Sequence, residues 1–153
     1  MNKLDDVLTT ADLLFGLNDE EAAALVALGE RRKYKRGDII MESGETGGDL
    51  CVILRGQVEV VREEGTREDV LVVLGSGQGF GEMAILDAGP RSATVRCVSE
   101  ESNLLCIPGD ALLKFCRRTP SVGYQLMYNL ARDVAFKLRH RNLPREVDSE
   151  VRK

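Results

Sequence analysis

Residues 79–95 read GFGEMAILDAGPRSATV, and the rest of the chain reads as a frame for this run. Gly79 and Gly81 flank Phe80 and permit tight backbone geometry and close approach of a ligand. Glu82 to Leu86 is long enough for one or two helical turns, whose first N–H groups favour an anion or a hydroxyl-rich ligand. A turn follows at Asp87-Ala88-Gly89-Pro90. Arg91 then offers a fork of donors suited to a phosphate, and Ser92 a hydroxyl and an N–H. One segment thus carries an acceptor for sugar hydroxyls and a cationic clamp. Taken singly, each residue has an ordinary reading. Glu82 and Arg91 are also what a surface ion pair of little worth looks like, and the glycines suit plain turns. Glycines, acid, spacing, turn and base in this order favour a binding site.

The run closely resembles the phosphate-binding cassette of the cyclic nucleotide-binding domain family. That family includes regulatory subunits of cyclic AMP-dependent kinase, the catabolite activator protein and nucleotide-gated channels. The residues that carry the resemblance are Phe80-Gly81-Glu82, Ala84 and Pro90-Arg91-Ser92-Ala93-Thr94-Val95, with the interval from Glu82 to Arg91. The resemblance implies that Glu82 takes the ribose 2′-hydroxyl and Arg91 the exocyclic phosphate. It gives Phe80, Gly81, Ala84, Ser92 and Ala93 supporting places in the ligand site.

A chain of 153 residues suits one domain with room for an added helix, and can bury roughly two-thirds of its unfolded surface. The net charge of −4 gives no basic surface for nucleic acid, so positive charge for a phosphate must be local, as at Arg91. No run of about 18 apolar residues predicts a transmembrane helix, and MNKLDDVLTT lacks a signal-peptide core, so a cytoplasmic chain is expected. Cys51, Cys97, Cys106 and Cys116 form no C-x-x-C pair and read as buried free thiols, three of them in strands.

The expected architecture is mainly β with flanking α: a double-stranded β-helix, or jelly-roll, barrel with helices at both ends. It divides into an N-terminal helical segment 1–30, the barrel 31–108 holding the cassette, C-terminal helices 109–142 and a frayed tail 143–153. Leu4, Val7, Leu8, Ala11 and Leu14 have helical spacing. Asn18 with Glu21 forms a capping-box pattern for a helix that Gly29 stops. Many short strands punctuated by glycine follow, including Ile39–Met41, Leu50–Leu54, Gln57–Val60 and Val70–Leu74. The glycine-rich stretch Ser43–Asp49 lacks the Gly-Lys-Ser/Thr ending of a triphosphatase loop and is read as a hairpin turn. Thr119-Pro120 opens a helix with Tyr124, Met127, Leu130, Ala131, Val134 and Leu138 near one face. The resemblance places such a helix over the bound base, with Tyr124, Met127, Leu130 or Val134 as contacts. Packing on the barrel or on a second subunit is an equal reading of that stripe. The resemblance also makes Val60 and Val72 candidate pocket walls, beside their plain reading as core. Basic residues from Lys137 to Arg141 read as a solvated helix end.

Three functions compete. A metal enzyme on a small barrel needs clustered histidines, and the chain has only His140, with no Ser/His/Asp or Cys/His set. No metal site and no enzyme are therefore expected. A domain of the same fold that binds no nucleotide, a structural or interaction module, is the alternative that intact Glu82 and Arg91 disfavour. The expected function is a regulatory domain that senses cyclic AMP and acts on an unknown effector protein in trans. Ser92 stands where family members differ, and it is compatible with cyclic GMP as well. The resemblance spans roughly residues 11–142, with no helix-turn-helix after it, so DNA binding in cis and membrane contact are not expected. The last helix is apolar enough for a homodimer.

Overall fold

Strand Leu50–Leu54 is apolar at every position, and the fold explains why. The computed structural model describes residues 11–45, 48–87 and 93–152, and for 84, 87 and 141–152 the backbone alone. Its eight strands are β1 (Glu30–Lys35), β2 (Ile39–Met41), β3 (Asp49–Arg55), β4 (Val58–Glu64), β5 (Arg67–Leu74), β6 (Gly79–Phe80), β7 (Thr94–Cys97) and β8 (Glu101–Pro108). They form two four-stranded antiparallel sheets, ordered β1-β8-β3-β6 and β2-β7-β4-β5. No shared ladder joins the two sheets among the described residues, so the jelly roll is two faced sheets and not one closed barrel.

Successive strand residues point to opposite faces. Cys51 and Ile53 of β3, with Leu104 and Cys106 of β8, join Val58, Leu74, Phe80 and Val95 between the sheets. The alternate residues Leu50, Val52, Leu54, Leu105 and Ile107 pack outward, against Leu25, Leu112, Leu126 and Leu130 of the helices. A strand covered on both faces needs apolar residues at every position. By contrast β1, at the edge of its sheet, is almost wholly exposed and reads ERRKYK. Charged residues on such an edge also discourage pairing with another chain.

Four α-helices frame the sheets: α1 (Asp19–Val26), α2 (Glu82–Asp87), α3 (Gly109–Arg118) and α4 (Pro120–Arg152). The capping box at α1 is complete. Asn18 Oδ1 accepts from the Glu21 N–H at 2.8 Å, and Glu21 Oε1 accepts from the Asn18 N–H at 3.0 Å. Before it, Asp12–Leu14 is a short 3-10 turn; residues 1–10, with Leu4, Val7 and Leu8 of the expected helical spacing, lie outside the described residues. Pro120 occupies the first position of α4, as its fixed φ suits.

One expectation changes. The stretch 43–49 is no hairpin turn: β2 pairs with β7 and β3 with β8 and β6, so the strands it links lie in different sheets. Along β4, Val58 and Val61 are buried on either side of a bulge between Val60 and Val61. The backbone of α4 is helical to Arg152.

Two positions fix the frame. Gly56, between β3 and β4, has φ +101°, and a Cβ there would sit 2.5 Å from Ser102 Oγ and 2.6 Å from the Glu101 carbonyl. Asn129, 5% exposed on α4, donates from Nδ2 to the carbonyls of Leu13 (2.7 Å) and Phe15 (2.8 Å). Replacing Asn129 with alanine leaves both carbonyls short of a donor. Urea unfolding of Asn129→Ala is expected to lose about 1–3 kcal/mol of stability; a loss below about 0.5 kcal/mol would mean water takes over both carbonyls.

Candidate functional site

The cassette enters the fold through β6, which pairs with β3 in the register Cys51↔Phe80 and Val52↔Gly79. A Cβ on Gly79 would lie 2.9 Å from the Cys51 carbonyl, so only glycine lets this short strand approach. Phe80 is buried in the inter-sheet core and anchors the entry. Gly81 takes φ +95°, a left-handed conformation that suits glycine, and turns the chain into α2. Glu82 is the first residue of α2, and Ile85 packs its other side on the helical core. Gly109 at the start of α3 sits against this turn. Its N–H donates to the Gly48 carbonyl at 3.2 Å, and a Cβ there would meet Ile85 Cδ1 at 2.6 Å. On the far side, Ala93 is half-buried and leads into β7. Thr94 Oγ1 there accepts from the Ser43 N–H at 3.0 Å.

Phe80, Gly81 and Glu82 run from β6 of one sheet into α2, and Ala93 precedes β7 of the other sheet. Ala84 lies in α2, and its side chain is outside the description; Arg91 and Ser92 lie outside the described residues altogether. The expected base contacts divide. Leu130 is buried in the helical core and Met127 packs on its edge, while Tyr124 is largely exposed and stacks on Tyr128. Val60 and Val72 are cross-strand partners packed on the inter-sheet core.

What the sequence reading missed stands on α4. Glu82 is 5% exposed, and its carboxylate does not face water. Lys137 Nζ lies 3.1 and 3.2 Å from its two oxygens, 2.9 Å from Asp133 Oδ2, and also donates to the Gly79 carbonyl. Lys137, expected at a solvated helix end, has a side chain only 12% exposed. The i,i+4 spacing of Asp133 and Lys137 was the visible signal, but it marks a helix pair without saying which way it faces. Burial raises the pKa of Asp133 above the ordinary carboxyl value; the Lys137 charge opposes that, and Glu82 and Asp12 add to it.

Asp133 also borders a cavity of about 350 Å³ between the 3-10 turn and α4, with Asp12, Phe15, Gln78, Arg132 and Phe136. Neither Phe80 nor Glu82 lines this cavity. Among the described residues, no group of three or more His, Cys, Asp or Glu could hold a metal ion, and no helix is long and apolar enough to cross a membrane. The thiols of Cys51, Cys97 and Cys106 are buried and not in disulfides, and Cys51 Sγ donates to Cys106 Sγ at 3.4 Å across β3 and β8.

The comparisons show the family that the sequence resembles. A family model described as cyclic nucleotide-binding domain matches residues 31–119. The cyclic AMP receptor protein of Thermus thermophilus is 37% identical over 121 residues, covering 78% of this chain and 56% of that protein. A cGMP-dependent protein kinase of Eimeria tenella is 30% identical over 104 residues, covering 68% of this chain and 10% of the kinase. The crystal structure of the Thermus thermophilus catabolite activator protein matches with a TM-score of 0.76 at 34% identity, over 91% of this chain and 63% of that one. This chain thus spans a little over half the length of the receptor protein it resembles.

The shift at Asp133 has a measurable consequence. A native state that keeps this proton longer than the unfolded chain loses stability as pH rises above the ordinary carboxyl value. Asparagine mimics the neutral form. Asp133→Asn is therefore expected to melt higher than wild type at pH 8, with the gap closing as pH falls toward 4. A gap of opposite sign at pH 8 would mean the Lys137 pairing outweighs the burial.

Proposed function

Because this chain belongs to the cyclic nucleotide-binding domain family, we propose that it is a cyclic nucleotide sensor with no catalytic step of its own. The observation that carries the reading is the place of Glu82: a buried carboxylate at the start of α2, behind two glycines that bring the backbone close. A carboxylate there is an acceptor for the ribose 2′-hydroxyl. Arg91, nine residues on, clamps the exocyclic phosphate, and Gly81, Ala84, Ser92 and Ala93 complete the ligand contacts, with Phe80 as the anchor beneath. The guanidinium suits this task because it presents paired donors to a phosphate.

Cyclic AMP is the proposed ligand. The support is the cyclic AMP receptor protein of Thermus thermophilus at 37% identity and a serine at position 92. The kinase from Eimeria tenella keeps cyclic GMP as the competitor to test. The proposed mechanism is a population shift. The nucleotide bridges the cassette and α4 and favours the arrangement in which α4 lies closed, by its differential affinity for that state. A partner protein, or a second copy through α4, then reads the position of that helix.

Calorimetric titration of nucleotide-free protein with cyclic AMP and cyclic GMP tests the ligand. Cyclic AMP is expected to bind more tightly. Arg91→Ala is expected to weaken it by about 2–5 kcal/mol, as for a desolvated charge pair that loses one partner. Wild-type affinity in Arg91→Ala would overturn the phosphate assignment, and no heat with either nucleotide would overturn the sensor reading.

A further inference from the structure

Four oxygen atoms converge on one ammonium at the junction of α4 and the cassette. They are both oxygens of Glu82, Oδ2 of Asp133 and the carbonyl of Gly79. An ammonium has three protons, so these contacts share them. The side chains of Lys137, Glu82 and Asp133 are 12%, 6% and 14% exposed, so water screens this cluster far less than a surface pair. The contact also joins two elements 55 residues apart in sequence, and it reaches both ends of the Gly79–Glu82 turn.

A ribose hydroxyl that reaches Glu82 meets a carboxylate already paired. Two outcomes are open to it, displacement of the ammonium or sharing of the carboxylate. Magnitudes decide between them. A hydrogen bond to a charged partner is roughly twice as strong as a neutral one, and removing one member of a buried pair strands the other charge. One neutral hydroxyl cannot repay that loss. Sharing costs little, because an ionised carboxylate has about four acceptor positions and Lys137 addresses each oxygen only once.

We infer that Lys137 is a positioning residue of the ligand site, which holds the Glu82 carboxylate for the ribose 2′-hydroxyl and stays on it when the nucleotide binds. This rests on the reading of Glu82 as the ribose acceptor. Asp133, one turn earlier on α4, holds the ammonium in place. The helix is then part of the site and not only a cover over it. Closure of α4 brings Lys137 to Glu82, and an ordered Glu82 binds the ribose better. By reciprocity, a bound ribose favours the closed helix by the same factor.

The test is a cycle between one ligand group and one side chain. Calorimetry compares cyclic AMP with 2′-deoxy cyclic AMP on the full chain, as wild type, Lys137→Met and Lys137→Arg. Wild type is expected to prefer cyclic AMP by about 10-fold or more, as for a hydrogen bond to a charged acceptor. Lys137→Met, which keeps the stem without donors, is expected to bring the preference close to unity, and Lys137→Arg to retain most of it. A merely structural loss would weaken both ligands alike and leave their ratio unchanged, which would overturn the inference. A larger ratio in Lys137→Met would overturn it too, because Lys137 would then compete with the ribose. Equal binding of the two ligands by wild type would instead overturn the Glu82 reading itself, and this inference with it. Should Lys137→Met fail to fold, Lys137→Gln removes the charge with less loss of hydrogen bonding, and the same ratio decides.

Discussion

The ladder between β3 and β8 is buried on both sides, and the site hangs from it. One face of the pair closes the space between the sheets and the other carries the helices. A register slip of one residue would exchange these two faces, so the apolar run on each strand is pinned by two different sets of neighbours. β3 then uses its other edge to hold β6, two residues long, and β6 delivers Phe80, Gly81 and Glu82. The position of the cassette glutamate is thus fixed within a few residues of a strand buried on both faces.

A second constraint comes from outside the sheets. The helix α4 packs Leu126 and Leu130 on the β3 face, ties the 3-10 turn through Asn129, and reaches the cassette through Lys137. These residues recur along one side of the helix, so apolar packing and polar contact share one face. These contacts link the cassette glutamate, the β3 face and the 3-10 turn through one helix. This is the physical basis for reading α4 as the output of the proposed sensor.

Much of this was legible in the sequence because the signals were local. The capping box at Asn18 and Glu21 spans four residues, and Pro120 marks its helix by itself. The family was legible from one compact run, residues 79–95. The apolar strand Leu50–Leu54 was visible too, though not that its two faces serve different cores. What was hidden depends on distant pairing. The stretch 43–49 looks like a hairpin turn because glycines mark a turn without saying which strands flank it in space. Lys137 looked solvated because a lysine near a helix end usually is; its burial follows from the approach of Glu82, a residue 55 positions earlier. Asn129 gave no signal, since nothing in the sequence pairs it with the carbonyls of Leu13 and Phe15.

The most direct test of the account is a nuclear magnetic resonance titration of the isotopically labelled protein with cyclic AMP, following backbone amides. The account requires saturable shifts at Gly81, Glu82 and Ala93, together with shifts in α4 around Asp133 and Lys137, at one common midpoint. Saturable shifts confined to the cavity beside Phe15 and Arg132, or cassette shifts with α4 silent, would contradict it.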